Sequence, residues 1–564
     1  MKFFLKQFLI LYFTLIISSI LIIFLGPIFL NNNIVYSLGF VSINLSEKIP
    51  KLWDTIKITY LIICPISFFI ILNSCSSFFR IVFSSINLKS TKLASNHIGP
   101  SNEIIIKLGT NLNNNPVTIP LKGLYQNVLV TGSIGSGKTS SLLYPLTSNL
   151  LSLSFNEKYK SAFLILDVKG NYHRFVKDCC KCNYHLGDLY IISLNGNITY
   201  NPIDKPNLKP HILANRLKTI LLLFSPEQSE SFWLDKAEQV LTEAIKLCRL
   251  YNQNYVTFIE LHKIIMSKSY YDEKISILQK LFYNNKLSES QMSDFATCIS
   301  FFSEEFFSLD ERTLSILRSE ISRITNIFVS DNDVSRIFCP SKNQISFPGF
   351  DYILKEHKIV VLDMNISEYS NLSKIIAAYL KIDFQSEILI QLSKSNEIYP
   401  SCFICDEYHE YVTKNDSSFF AQSREAKCIN IVATQSYSSL LATIGNQTET
   451  KVLIQNFVNK FWFRTDDSFT IEEILKQTGK EEKEIKSKTI SENARQTNYN
   501  FLLNSFFSKD SNISESINTS YQKDFIFDSN FFSRDLETFS CLAFISTGSH
   551  ILPIEKIWLK PYFS

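Results

Sequence analysis

The stretch VLVTGSIGSGKTS, residues 128–140, joins an apolar run to a glycine-rich loop and then to a run of helical character. It fits the pattern G-x-x-x-x-G-K-[ST] between a predicted strand and a predicted helix, which is the context that a phosphate-binding loop requires. Glycines let such a loop curl, so that consecutive backbone N–H groups face a phosphate at the start of a helix. The stretch therefore predicts a nucleotide site on an α/β sheet.

The chemistry of this loop assigns a role to each of its polar groups. Lys138 places a positive charge beside the β- and γ-phosphates of ATP, and the Thr139 hydroxyl is a ligand for Mg²⁺. A chance glycine-serine turn is the alternative, and the full match to the pattern disfavours it. The predicted nucleotide-binding residues are Gly132, Ser133, Ile134, Gly135, Ser136, Gly137, Lys138, Thr139 and Ser140.

Acidic residues end two further apolar runs, SAFLILD at residues 161–167 and SCFICDE at residues 401–407. Strand ends of this kind gather at the ligand-binding edge of an α/β sheet. We expect Asp406 to hold Mg²⁺ and Glu407 to polarise the attacking water as a base. Asp167 competes for the metal role, although only the later pair offers both a ligand and a base. The alternative for each acid is a solvated carboxylate at a strand end.

A third buried run, CINIVATQ at residues 428–435, ends in Thr434 and Gln435. A glutamine at this place can sense the γ-phosphate or orient the attacking water, as it does in other phosphate-loop enzymes. We therefore include Gln435 among the predicted catalytic residues, with Lys138 and Glu407.

The whole chain has 564 residues, of which 45% are hydrophobic and 19% are charged. This length suggests two to four folded units, and the low charged fraction is consistent with a membrane part. The net charge of only +3 does not indicate a protein that is basic throughout, so any surface for nucleic acid must be local.

Residues 8–30 and 58–79 carry no charged side chain and are each long enough to cross a bilayer. A cleaved signal peptide is the alternative for the first, but its apolar run is too long and no small-residue cleavage site follows. We predict a transmembrane hairpin whose loop, residues 31–57, lies outside the cytoplasm. Both ends face the cytoplasm in this prediction, because ATP and Mg²⁺ are cytosolic.

The twelve cysteines are scattered along the chain. The group CCKC at residues 179–182, with His173 and His185 nearby, raises the possibility of zinc, but its spacing is not that of a structural zinc site. Cys402 and Cys405 lie within an apolar run, where free thiols behave as small hydrophobic groups. Unpaired cytosolic cysteines are the simpler interpretation.

Apolar residues recur at helical spacing from residue 210 to about residue 345, for example in RTLSILRSEISRITNIF at residues 312–328. Strand-like runs are scarce there and resume at KIVVLDMN, residues 358–365. This pattern predicts a helical domain inserted into the α/β sheet. Further core helices of a single domain are the alternative.

Several motifs follow one another in a characteristic order: VLVTGSIGSGKTSSLLYPL, AFLILDVKGNY, NITYNPID, SFWLDKAEQVL, CFICDEYHEYV and INIVATQSYSSLLATIGNQ. In this order, and with the amino-terminal hairpin and the closing segment ISTGSHILPIEKIWLKPYF, the chain resembles the type IV coupling proteins of conjugation and type IV secretion. The resemblance implies a RecA-like P-loop NTPase domain at residues 90–209 and 346–564, an all-helical domain at residues 210–345, and a transmembrane hairpin at residues 1–85.

The same resemblance implies a multi-pass ATPase of the inner membrane with its ATPase domain in the cytoplasm. It also implies a homo-hexamer that recruits relaxase-bound DNA or effector proteins and passes them to the components of a secretion channel. DNA would be held through its phosphate backbone, independently of sequence. Arg424 falls where the family carries a basic residue between the acidic pair and the glutamine strand, so the resemblance suggests it as an arginine that acts on a neighbouring subunit. A surface arginine on a helix is the alternative.

Two other functions fit the same motor. One is a DNA translocase for chromosome or plasmid partition, although a separate DNA-reading domain is not evident in the sequence. The other is a docking platform that binds nucleotide without hydrolysis, against which the joint presence of Lys138, Glu407 and Gln435 argues. Tyr408 and His409 depart from the smaller residues usual in the family, and the family's long acidic carboxy-terminal tail is missing.

Overall fold

A computed structural model describes residues 36–38, 41–43, 50–55, 57–59, 104–156, 159–224, 231–284, 287–394, 398–492, 497–500, 505–508 and 513–563. The chain divides into two compact units, residues 1–102 and 103–564. In the first unit, strands β1 (Tyr36–Leu38) and β2 (Val41–Ile43) form an antiparallel pair within the predicted loop between the spans.

The predicted transmembrane segments lie outside the described residues, apart from Ile58 and Thr59 at the start of the second. Among the residues that the structure describes, no helix has both the length and the apolar character needed to cross a bilayer. The transmembrane hairpin therefore stays a prediction from the sequence.

A large mixed sheet organises the second unit. This sheet has eleven strands in the order β4-β3-β17-β16-β11-β5-β10-β9-β6-β8-β7. From β11 to β7 neighbouring strands run parallel, and from β4 to β11 they are antiparallel. The strands are β3 (Ile105–Asn111), β4 (Pro116–Pro120), β5 (Val128–Thr131), β6 (Ala162–Leu166), β7 (Leu189–Ile192), β8 (Ile359–Leu362), β9 (Ser401–Cys405), β10 (Cys428–Thr434), β11 (Asn459–Trp462), β12 (Lys480–Glu492), β13 (Thr497–Asn500), β14 (Ser505–Ser508), β15 (Ile513–Phe525), β16 (Ser540–Phe544) and β17 (Glu555–Leu559).

The central strands are apolar along their whole length because both faces of the sheet are covered. On β6, for example, Leu164 and Leu166 join one core cluster, whereas Phe163 and Ile165 join the cluster on the opposite face. Parallel strands buried on both faces are typical of α/β proteins. The predicted α/β sheet with a parallel centre is thus confirmed.

Helices cover both faces of this sheet. They are α1 (Leu121–Leu124), α2 (Tyr144–Phe155), α3 (Tyr172–Cys182), α4 (Pro210–Leu221), α5 (Ser231–Tyr251), α6 (Phe258–Met266), α7 (Lys268–Tyr283), α8 (Glu289–Ser300), α9 (Glu311–Thr325), α10 (Ile327–Ser330), α11 (Asn332–Phe338), α12 (Phe350–Lys355), α13 (Ile366–Lys394), α14 (Asp416–Gln422), α15 (Tyr437–Ile444), α16 (Gln447–Gln455) and α17 (Ser468–Thr478). A non-helical Ser370 breaks α13 near its start.

The helix after the phosphate loop begins irregularly. Residues Lys138–Leu143 form a π-helical turn, and the regular helix α2 starts only at Tyr144, with Pro145 in its first turn. Pro145 has no N–H for the helical hydrogen-bond pattern, and the change from the π-helical turn to the regular helix falls next to it.

The stretch between β7 and β8 holds helices α4 to α12 and no strand among the described residues. Its helical content agrees with the predicted insertion. Residues such as Leu217 and Ile321 of this stretch belong to the same core cluster as Leu164 of the sheet. Because that core is shared and residues 103–564 form one unit, the boundaries at residues 210 and 345 stay predictions.

The antiparallel pair β12 and β15 was not evident in the sequence. Its two strands, Lys480–Glu492 and Ile513–Phe525, pair along their full length. Charged and polar residues dominate both strands, so the alternation of apolar and polar residues that marks a half-buried strand is absent.

The cysteines of the sheet are buried free thiols. Cys402 and Cys405 lie on β9, and Cys428 begins β10. No group of three or more potential metal ligands forms among the described residues.

Candidate nucleotide-binding site

Four strands bring the predicted site residues to one edge of the sheet. Strand β5 leads into the phosphate loop, β10 next to it ends at Thr434, and β9 ends before Asp406. Strand β6, beyond β9, ends before Asp167. Because these strands are parallel, their carboxyl ends share this edge.

The phosphate loop needs glycine at two places for different reasons. Gly135 has a φ of 77° with open space where a side chain would lie. Gly137 has a φ of 100°, and a Cβ there would lie 2.5 Å from the ring of Phe539. Ile134 is exposed at the tip, whereas the Ser136 hydroxyl donates to the Ser133 carbonyl at 2.8 Å. The loop is therefore an ordered turn with one open side.

Lys138 is buried and folds back on its own loop. Its ammonium donates to the carbonyl oxygens of Gly132, at 2.6 Å, and Ser133, at 3.2 Å. Burial lowers the pKa of Lys138, and the nearby carboxylates of Glu407 and Asp406 oppose that shift. The ammonium thus lies where the loop and the acidic pair meet.

The phosphate loop and the acidic strand end touch through one hydrogen bond. The Thr139 hydroxyl donates to the carboxylate of Asp406 at 2.7 Å. A hydroxyl and a carboxylate at this separation can bind one Mg²⁺ together, because that cation prefers oxygen ligands. Sequence reasoning paired these two residues for that role.

Glu407 has the features of a catalytic base. Its backbone is left-handed, with a φ of 48°, which is uncommon outside glycine and clusters at functional sites. One carboxylate oxygen, Oε2, is buried without a hydrogen bond among the described residues, while Gln435 donates to the carboxylate. Burial and the neighbouring Asp406 raise the pKa of Glu407. The Nδ1 atom of His409 lies 3.8 Å from Oε2. A carboxylate of raised pKa with an oxygen that accepts no hydrogen bond can accept a proton from water.

Asp167 lies close to Asp406 but is occupied by its own turn. Its oxygens accept the backbone N–H groups of Lys169, at 3.1 Å, Asn171, at 3.0 Å, and Tyr172, at 3.2 Å. Burial and the charge of Asp406 raise the pKa of Asp167. Of the two acids predicted as metal ligands, only Asp406 bonds to Thr139, and the role of Asp167 in metal binding stays a prediction.

Arg424 does not join these residues. It is exposed and precedes β10, whereas the site lies beyond the carboxyl end of that strand. At a rise of about 3.3 Å per residue, the seven residues of β10 separate its amino end, near Arg424, from its carboxyl end, near the site, by about 20 Å. Arg424 therefore does not reach the site of its own chain, and its action on a neighbouring subunit stays a prediction.

Sequence reasoning missed the supports of the phosphate loop. The carbonyl of Arg464, just after β11, accepts the N–H of Ser133 at 2.7 Å. The N–H groups of Phe539 and Tyr562 donate to the carbonyls of Ser136, at 3.1 Å, and Ser140, at 3.0 Å. These contacts join residues hundreds of positions apart, so no local sequence pattern predicts them.

Lys169 is a further cation that sequence reasoning passed over. Its charge lowers the pKa values of both Lys138 and Glu407, so it lies within electrostatic reach of both. Lys169 lies two residues after Asp167 in the motif AFLILDVKGNY. A lysine so close to an acidic strand end is the signal from which it could have been predicted.

Solved structures resemble this chain over most of its length. The unbound monoclinic form of the bacterial conjugative coupling protein TrwBdeltaN70 matches with a TM-score of 0.52 and 13% identity, over 80% of this chain and 88% of that one. The chain has the fold of the coupling protein TrwB. TrwB in complex with ADP and Mg²⁺ matches with a TM-score of 0.51 and 12% identity, over 82% and 96% of the two chains. No protein-family model and no curated protein matches the sequence.

The likeness to TrwB confirms the predicted resemblance at the level of the fold. Other TrwB structures that match hold the nucleotide analogues GDPNP and ADPNP. At 12–13% identity these ligands are properties of TrwB, and the geometry of the site has to carry the argument for this chain.

Proposed function

We propose that the chain is an ATPase that couples hydrolysis to the export of relaxase-bound DNA, effector protein or both through a type IV secretion or conjugation channel. The observation that carries the proposal is the Thr139–Asp406 hydrogen bond, with Glu407 and Gln435 beside it. It joins a phosphate loop to a metal ligand and a base within a TrwB-like fold.

In the proposed mechanism the loop from Gly132 to Ser140 directs backbone N–H groups at the phosphates of ATP, and Lys138 leaves its loop carbonyls to contact them. Thr139 and Asp406 would hold Mg²⁺, which would supply positive charge beside the phosphates. Glu407 accepts the proton of the attacking water, and Gln435, hydrogen-bonded to Glu407, orients that water. Arg424 of a neighbouring subunit completes the site in the proposed hexamer.

The membrane hairpin belongs to the same proposal. Residues 8–30 and 58–79 would hold the chain in the inner membrane with the ATPase unit in the cytoplasm. Alkaline carbonate washing of membranes that contain the full chain tests this. An integral protein stays in the pellet and is released only by detergent, whereas release by carbonate alone would contradict a spanning hairpin.

ATP turnover by the full chain, with and without single-stranded and double-stranded DNA, tests the enzymatic part. We expect turnover that DNA stimulates and that Lys138→Ala and Glu407→Gln each reduce by about a hundredfold or more. The matched control is Glu410→Gln, because Glu410 lies three residues from Glu407 and pairs with Lys374 at the surface. Tight ATP binding without turnover under any condition would instead favour a docking platform.

A further inference from the structure

A second cavity, of about 470 Å³, lies on the helical side of β11, near the antiparallel part of the sheet. Strand β11 and Phe544 of β16 contribute to its wall, together with residues from α15, α16 and α17. None of its lining residues belongs to the phosphate loop or the acidic pair. It is lined by Tyr437, Lys451, Ile454, Gln455, Phe457, Val458, Lys460, Glu473, Lys476, Gln477, Phe544 and Ile551.

Lys460 is the unusual member of this lining. It lies on a central strand of the sheet and is only 5% exposed, yet its ammonium has no hydrogen bond or ion pair in the part of the chain that the structure describes. The adjacent Asn459 is equally buried, and its amide donates to the carbonyls of Gly123 and Asn127. Burial lowers the pKa of Lys460 to about 8.

The carboxylate in the cavity lining does not balance this charge. Glu473 already pairs with Lys476, at 3.0 Å, and with Lys451, at 3.3 Å. Three lysines thus face one glutamate, and the lining carries excess positive charge around a deep ammonium. A charge on a largely buried side chain without a counter-charge is unfavourable, and an anionic partner would offset that cost.

Apolar side chains form another part of the lining. Phe544 and Ile551 are not fully buried and provide aromatic and aliphatic surface in the same cavity as Lys460. A small site that combines apolar side chains with a largely buried lysine and excess positive charge suits a ligand that has an apolar body and one negatively charged end. An inorganic ion alone would leave the apolar lining in water.

We propose that this cavity binds a small amphipathic organic anion, whose carboxylate or phosphate contacts Lys460 and whose apolar body packs against Phe544 and Ile551. The site is separate from the nucleotide site, and the inference does not depend on the proposed function. It rests on the buried unpaired ammonium and the shape and composition of its surroundings.

Competitive acetylation of the full chain with limiting acetic anhydride, read by mass spectrometry at Lys460, tests the proposal. The probes are phenyl phosphate and benzoate, with inorganic phosphate as the head group alone and benzyl alcohol as the neutral body. We expect phenyl phosphate and benzoate to slow acetylation of Lys460 at least about tenfold, benzyl alcohol to have no effect, and the exposed Lys414 to react equally throughout.

A matched pair of variants completes the test. Lys460→Met keeps the length of the side chain without its charge, and we expect it to weaken phenyl phosphate binding, measured by ligand-observed NMR, at least about tenfold. Lys476→Met removes a more exposed lysine of the same cavity and should change binding by less than about threefold. Unchanged ATP binding by both variants shows that the fold is intact.

Four results would overturn the proposal. The first is acetylation of Lys460 that none of the anions slows, and the second is an equal loss of binding in both variants, which indicates unspecific attraction. The third is protection that rises with protein concentration without any probe, which indicates an acidic group of a second copy in the cavity. Equal protection by inorganic phosphate and phenyl phosphate would contradict the role of the apolar body.

Discussion

Two carboxylates that end neighbouring strands of one sheet, Asp167 and Asp406, differ in what their oxygens contact. Asp167 accepts three backbone N–H groups of the turn that follows it, whereas Asp406 accepts the hydroxyl of Thr139. The first arrangement stabilises a turn, and the second leaves a carboxylate beside the predicted phosphate site. Residue type and position along a strand are the same for both, so their contacts alone separate their roles.

We predict that Asp406→Asn removes the dependence of nucleotide binding on Mg²⁺, while Asp167→Asn retains it. The reason is that Asp406 shares the predicted metal position with Thr139, whereas Asp167 holds its own backbone. Titration of a fluorescent ATP analogue with and without Mg²⁺ measures the difference. Loss of the Mg²⁺ effect in Asp167→Asn, with the fold intact, would instead assign the metal to Asp167.

Glu407 predicts the pH dependence of turnover. As a base it must be deprotonated, and burial together with Asp406 raises its pKa above the ordinary glutamate value of about 4.3. Activity should therefore fall on acidification at a higher pH than an ordinary glutamate would give. Steady-state kcat/KM between pH 4.5 and 8 measures this acid limb. Glu410→Gln should keep the limb, and a profile that is flat down to pH 4.5 would contradict the assignment.

At the scale of elements, a buried ion pair fixes the segment that follows the acidic pair. Lys381 of α13 contacts Asp416, the first residue of α14, at 2.5 Å, and both side chains are fully buried. The hydroxyl of Tyr408 also donates to Asp416, and the ammonium of Lys381 donates to the carbonyl of Tyr411. The backbone from Glu407 to Asp416 is thus held against a helix of the core.

Breaking this pair should destabilise the protein strongly. We expect Lys381→Met and Asp416→Asn each to cost about 3–5 kcal/mol, because the partner stays buried and loses its counter-charge. The double variant Lys381→Met/Asp416→Leu should recover part of that loss. Urea midpoints of the full chain measure these effects. As a control, Glu449→Gln removes the exposed pair with Lys414 and should change stability by less than about 1 kcal/mol.

The elements that could be predicted from the sequence are those whose signal is local. The loop from Gly132 to Ser140 and the strands before Asp167 and Asp406 follow from short motifs and continuous apolar runs. Strands β12 and β15 were not predicted, because their many charged residues form neither a short motif nor a continuous apolar run. The contacts of Phe539 and Tyr562 with the phosphate loop escaped because they depend on how distant segments meet in the folded sheet.

At the scale of the whole molecule, the two ends of the parallel strands carry residues with different proposed functions. The candidate nucleotide site lies at the carboxyl ends of these strands, and Arg424 is exposed near the amino end of β10. The length of β10 places the two about 20 Å apart. In a ring, the edge of one subunit can meet the site of the next. The proposed hexamer gives Arg424 a role that a single chain does not.

Mixing experiments test that role. We expect Arg424→Ala chains to lose most of their ATP turnover and to regain part of it when mixed with Lys138→Ala chains, which have an intact arginine. The reason is that each mixed interface can combine an intact Arg424 with an intact phosphate loop. ATP turnover as a function of mixing ratio measures this. Lys427→Ala, a change to another exposed cation of the same turn, is the control, and turnover proportional to the unmixed activities would contradict action between subunits.

The reactivity of the buried thiols on the central strands reports whether those strands separate. Burial raises the pKa of Cys428 to about 12 and also raises the pKa values of Cys402 and Cys405. The thiolate is the reactive form, so a thiol reagent modifies these residues only while the strands are separated. The exposed Cys182 reacts without any opening. Slow thiol modification at Cys402, Cys405 and Cys428, located by mass spectrometry, therefore measures how often the central strands come apart, with no label introduced into the protein.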